Sequence, residues 1–129
     1  DLNGSYGVSP GTDSKGGAKF AEMVEANDFK LGTYAGESYD SAAIILLAMQ
    51  AAGSSNSSDF KLLISKVANA PGEKILAGEL ASGLKILAEG GDIDYVGATD
   101  IELIEPGESA GNFREIEIKD GKLVTSGMH

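Results

Sequence analysis

The sequence predicts one α/β unit, with helices first and β-strands at the carboxyl-terminal end. Three observations predict it. Residues 39–52 are apolar on nearly every helical face. Phe60, Leu63, Ile64 and Val67 recur at the i, i+3, i+4, i+7 spacing of a single helical stripe. From Phe113 to Ile118 the pattern changes to the two-residue alternation of a half-exposed strand.

Ser5 to Val8, bounded by Gly and Pro, suits a strand or an extended connection, and Ser9-Pro10-Gly11-Thr12-Asp13 is a turn cluster. A first helix is expected over Gly17–Ala26, with Ala18, Ala21, Met23 and Val24 as its apolar face and Asn27-Asp28 as its end. Phe29 to Gly36 reads as irregular. Ser38 is placed to cap the apolar helix that follows, since a serine hydroxyl can accept from the first free backbone N–H groups. Gly53 is a natural stop for that helix, because glycine closes helices in the left-handed conformation. A polar loop at 54–58 leads to a third helix over Asp59–Asn69, ended by Pro71-Gly72. A fourth runs over Ala77–Glu89 with Leu80, Leu84 and Leu87 in line, and Gly90-Gly91 ends it. Strands are expected at 101–104 and 113–118, with Asp120-Gly121 as a tight hairpin turn before Leu123. The helix over 39–52 needs a covering sheet, yet few uniformly apolar strands are present to supply one. Part of that sheet is therefore expected in sequence outside these 129 residues. No signal peptide opens the chain, and its first residues read as mid-chain sequence, so a mature, truncated or cytosolic product is expected.

The hydrophobic content of 42% and charged content of 23% are those of an ordinary globular protein. The net charge of −10 argues against a nucleic-acid binder, which needs a basic patch to neutralise phosphates, and against docking on an anionic membrane surface. The longest apolar run, Ala42 to Met49, is far too short to span a bilayer. Without cysteine there is neither a disulfide framework nor a thiolate metal site. The one histidine, His129, is terminal, so a catalytic triad or a zinc site is not expected, and neither is a cofactor.

Several patterns have a plain reading beside a functional one. Gly4 to Gly11 is glycine-rich but lacks the Lys-Ser/Thr ending of a phosphate loop and the spacing of a dinucleotide fingerprint, so it reads as a turn. Asp92 with Asp94, and Glu115 with Glu117, are spaced to share a strand face, where a hard cation or a hydrolytic pair could use them; solvated surface is the plainer reading. Asn3-Gly4-Ser5 and Asn56-Ser57-Ser58 fit a glycosylation pattern too common to carry weight. Gly36-Glu37-Ser38-Tyr39-Asp40 places an acid, a hydroxyl and a phenol at the start of the most apolar helix, where free N–H groups and positive potential gather. Its plain reading is a capping serine and a core-packed tyrosine.

Tyr6-Gly7-Val8-Ser9-Pro10-Gly11, then Gly36-Glu37-Ser38-Tyr39-Asp40-Ser41-Ala42-Ala43 and the helix ending Ala48-Met49-Gln50-Ala51-Ala52-Gly53, resemble the late region of type I periplasmic substrate-binding proteins of branched-chain amino acid ABC transporters. Asn69 to Ile75, Gly90 to Gly97, and the closing strands with Gly107 and Asp120-Gly121-Lys122 resemble the same family. The resemblance covers essentially the whole chain through order and spacing, with no single strict motif. It departs in size, because family members are two-lobed receptors of at least about twice this length.

The resemblance implies that residues 1–129 are a partial domain, the carboxyl-terminal portion of a receptor whose two lobes close on an amino acid. It implies a periplasmic protein, not an enzyme, that presents its ligand to an inner-membrane ABC permease. It places Tyr39 near the ligand cleft with Ser38 and Glu37 as further candidates, puts Tyr34 on the side-chain pocket, and makes Asp40 a capping or supporting group. Residues 5–10 and 95–98 become interlobe crossovers. The competing readings are a ligand-sensing domain of a signalling receptor and, behind it, a hydrolase using paired carboxylates. An isolated chain of this kind is expected to expose apolar surface and self-associate.

Overall fold

The computed structural model describes residues 1–129. They form a helical body around a small parallel sheet and, beside it, a three-stranded antiparallel sheet. The antiparallel sheet has the order β1-β6-β7, from β1 (Tyr6–Pro10), β6 (Phe113–Lys119) and β7 (Lys122–Met128). Strands β6 and β7 pair up to Lys119↔Lys122, which leaves Asp120-Gly121 as a two-residue turn. Both turn residues have positive φ (51° and 72°), the backbone that matches the twist of paired strands.

The body begins with α1 (Lys15–Ala26), two residues earlier than the apolar pattern suggested, because the Ser14 hydroxyl accepts from Gly17 N–H at 3.1 Å and caps the helix. Helix α2 (Ala35–Ala52) also starts early. Ser38 is not its cap. It lies inside the first turns, and its hydroxyl donates to the Tyr34 carbonyl at 2.8 Å instead of accepting from a free N–H. Gly53 closes α2 in the left-handed conformation, as the sequence predicts.

The expected third helix is broken into α3 (Ser57–Phe60), a 3₁₀ turn at Lys61–Leu63 and α4 (Ile64–Ala68). Its stripe still faces inward: Val67 is buried, and Phe60, Leu63 and Ile64 pack against the core. The expected fourth helix is shorter, α5 (Leu80–Ala88), and connects two parallel strands that the periodicity missed, β2 (Glu73–Leu76) and β3 (Ile93–Gly97). Helices and strands therefore alternate through the middle of the chain instead of all helices preceding the strands. A short hairpin of β4 (Leu103–Ile104) and β5 (Glu108–Ser109) follows, so only half of the alternating stretch at 101–104 is strand. The Asn69 amide pins this hairpin by donating to the Leu103 carbonyl and accepting from its N–H.

Ala43, Ile44, Leu47 and Ala48 of α2 pack with Val67, Ile75, Ile93 and Tyr95 in one core, so α2 lies on the β2–β3 sheet. The sheet that α2 needs is thus supplied in part by β2 and β3 of this chain. The cover is partial, since Ile45 and Leu46 remain 39% and 47% exposed. A second cluster joins Phe20 of α1 to Ala77 and Ala98. No helix is long and apolar enough to cross a membrane.

Candidate functional site

A cleft of about 590 Å³ lies where the antiparallel sheet meets the amino-terminal ends of α1 and α2. The sheet wall follows from register. Arg114 lies opposite Ser9, and Ile116 lies opposite Thr125, so period-two alternation puts these side chains on one face. The facing wall includes Phe20, Glu37, Ala98 and Thr99. Only two ionisable residues line the cleft, Glu37 on α2 and Arg114 on β6. Neither belongs to any ion pair of the chain. Arg114 is also the sole arginine in the sequence.

The floor of the cleft is fixed by Asp40, which is 0% exposed. One carboxyl oxygen accepts from the Tyr95 hydroxyl at 2.9 Å and the Ala98 N–H at 2.8 Å. The other accepts from the Thr99 N–H at 2.8 Å and the Thr99 hydroxyl at 2.7 Å. Burial, then the charge of Asp40, pushes the Tyr95 phenol up from its ordinary range, so it stays a proton donor. This network binds the end of β3 to α2 and orients Ala98 and Thr99.

Close backbone packing supports it. Gly97 has φ 63°, and a Cβ there would stand 2.2 Å from Asp40 Oδ1. A Cβ on Gly16 would stand 2.0 Å from the Gly97 carbonyl oxygen, so α1 can approach β3 only through glycine. At Gly11, just after β1, a Cβ would lie 3.2 Å from the Arg114 guanidinium, which shows how closely that group lies against the backbone there.

Of the residues singled out from sequence, Glu37 lines the cleft. Tyr39 lies apart from that lining: its hydroxyl accepts from Gly78 N–H at 2.9 Å, and its ring packs on Phe20 with centroids 5.1 Å apart. Ser38 is exposed and bonded to Tyr34, and Tyr34 itself is 63% exposed. Sequence reasoning passed over Arg114 and Thr99. The signal for Arg114 was available, a single guanidinium in a chain of net charge −10.

The paired carboxylates do not share a site. Asp92 pairs with Lys66 at 3.0 Å while Asp94 is buried in β3. Glu117 pairs with Lys119 at 2.9 Å, and a hydrogen bond from His129 holds the Glu115 carboxyl below its ordinary range. No group of three or more His, Cys, Asp or Glu is placed to hold a metal. A second groove, of about 750 Å³, is lined by β2 and the start of α1, and there Glu79 pairs with Lys19.

No protein-family model and no curated protein matches the chain. Among solved structures it is similar to the leucine-binding protein LivK of Thermotoga maritima, with a TM-score of 0.62 at 17% sequence identity. The match covers 98% of this chain and 31% of that one, so the chain spans about a third of that protein's length. At such identity the likeness shows the fold: a mixed α/β arrangement matching a segment of a periplasmic binding protein.

Proposed function

We propose that residues 1–129 are part of a solute-binding receptor that captures an amino acid, of branched-chain type or a related polar solute, and delivers it to an ABC importer. The observation that carries this reading is the cleft between the antiparallel sheet and the helical body, which presents one acid, one guanidinium and hydroxyl groups beside apolar walls. A small polar ligand needs such a mixture, because apolar contact supplies burial while a few placed polar groups fix orientation. The likeness of the fold to a leucine-binding protein supports it.

In this reading the chain is a partial domain, and segments 5–10 and 95–98 are crossovers about which two lobes close. The receptor works in the periplasm and meets an inner-membrane permease. Glu37 contacts ligand, while Tyr39, Ser38 and Tyr34 shape and hold the start of α2 beside it.

Isothermal titration of the intact receptor carrying these residues, against a panel of amino acids, tests the reading. Saturable heat with at least one aliphatic or small polar amino acid is expected. No heat from any member of the panel contradicts it.

A further inference from the structure

We infer that Arg114 and Glu37 set the direction in which the ligand lies, its carboxylate on β6 and its ammonium at the start of α2. The inference rests on the amino-acid-binding reading above and adds to it the groups that recognise each end of the ligand. Three features of the cleft lead to it.

Its only ionisable lining groups are opposite in sign and come from opposite walls, one from the antiparallel sheet and one from the body. Both are half-buried and absent from every ion pair in the chain, including one with each other. A half-buried charge without a partner loses hydration with no return until an opposite charge arrives. A zwitterion fits that vacancy in one direction only. A net charge of −10 also repels anions at long range, so a ligand carboxylate needs a local cation, and Arg114 is the one cation lining the cleft.

The guanidinium suits this role. Its planar fork matches a carboxylate with two parallel N–H···O bonds, a geometry that lysine cannot offer. Gly11 lies against it, with the position of a missing Cβ 3.2 Å from one terminal nitrogen and 3.3 Å from the central carbon. Glycine there leaves the fork room to lie along β1. Because Arg114 belongs to β6 and Glu37 to α2, a ligand holding both also ties the antiparallel sheet to the helical body.

The test compares three probes on the intact receptor by calorimetry: the tightest-binding amino acid of the panel, its amide and its N-acetyl derivative. Wild type is expected to prefer the free amino acid over each derivative by about tenfold or more, as charge-assisted pairs require. Arg114→Gln should erase the preference over the amide and keep the preference over the N-acetyl form. Glu37→Gln should do the reverse. Arg114→Lys, keeping charge without the fork, should retain part of the acid-over-amide preference. Gly11→Ala, which displaces the guanidinium, should weaken binding of the free amino acid more than that of its amide. Melting temperatures near that of wild type show that each variant is folded.

If the amino acid binds and both preferences survive both substitutions, this inference is overturned while the receptor reading stands. If each substitution weakens all three probes equally, directional recognition is likewise overturned. If no amino acid binds wild type, the receptor reading falls and this inference falls with it.

Discussion

Asp40 accepts four hydrogen bonds while fully removed from water, so its effect on the cleft is exerted through Ala98 and Thr99. Asp40→Asn replaces one accepting oxygen with a donating NH₂ that meets donors already in place. A loss of about 2 kcal/mol is expected, read from the denaturant midpoint at unchanged slope; a midpoint equal to wild type contradicts the network's role. Tyr39→Phe removes the acceptor for Gly78 N–H but keeps the ring on Phe20. It should cost about 1 kcal/mol of stability, and a denaturant midpoint equal to that of wild type would contradict the bond. The sequence made Glu37 and Tyr39 visible because both stand at the start of a conspicuous helix. It hid Arg114, which sits in the alternating run Phe113 to Ile118 like any solvated charge, until register with Ser9 turned it toward the cleft. Asp40 was legible only as a helix-start residue, since its donors lie 55 to 59 positions away.

Elements whose ends are set by local chemistry were legible, and those set by tertiary pairing were not. Gly53 and Asp120-Gly121 need positive φ, a requirement written in the residue types themselves. Strands β2 and β3 contain only four and five residues and carry Lys74 and Asp94 within them, too short and mixed for a two-residue period to emerge. The pairing of β2 with β3 across α5 gives them their strand character. Helices α1 and α5 are tied by Lys19 and Glu79, and Glu79 also accepts from Leu76 N–H at 2.9 Å. The lysine hydrogen bond, then the Leu76 bond, holds the Glu79 carboxyl below its ordinary value of 4.5. A carboxyl lowered by folding binds its proton more readily when unfolded, so its stabilisation is present above that ordinary value and fades as pH falls through the folded value. The melting-temperature gap between wild type and Glu79→Gln should therefore be open at pH 7 and close as acidification carries the pH below the ordinary carboxyl value of 4.5. A gap that widens in acid would contradict the tie.

At the scale of the whole molecule, the helical body has its own core while the antiparallel sheet meets it along the cleft. Strand β1 is an edge of that sheet and exposes Tyr6 and Val8, and α2 exposes Ile45 and Leu46. Open edges and apolar patches promote pairing between copies, against the mutual repulsion of a net charge of −10. The isolated 129-residue chain should self-associate in sedimentation, more strongly at high salt where that repulsion is screened. A compact monomer at every concentration and salt would contradict it. The fold class was legible because helical periods give way to a two-residue period near the carboxyl terminus, whereas the cleft was not, because its facing walls carry residues as far apart in sequence as Glu37 and Arg114. Hydrogen exchange on the intact protein, with and without saturating amino acid, tests the proposed receptor cleft most directly. Protection is expected at residues 8–12, 33–37, 97–100 and 114–116 together, with none along 54–62. Ligand-induced protection that spares all four segments, or that gathers on residues 73–76, would contradict a ligand site between sheet and body.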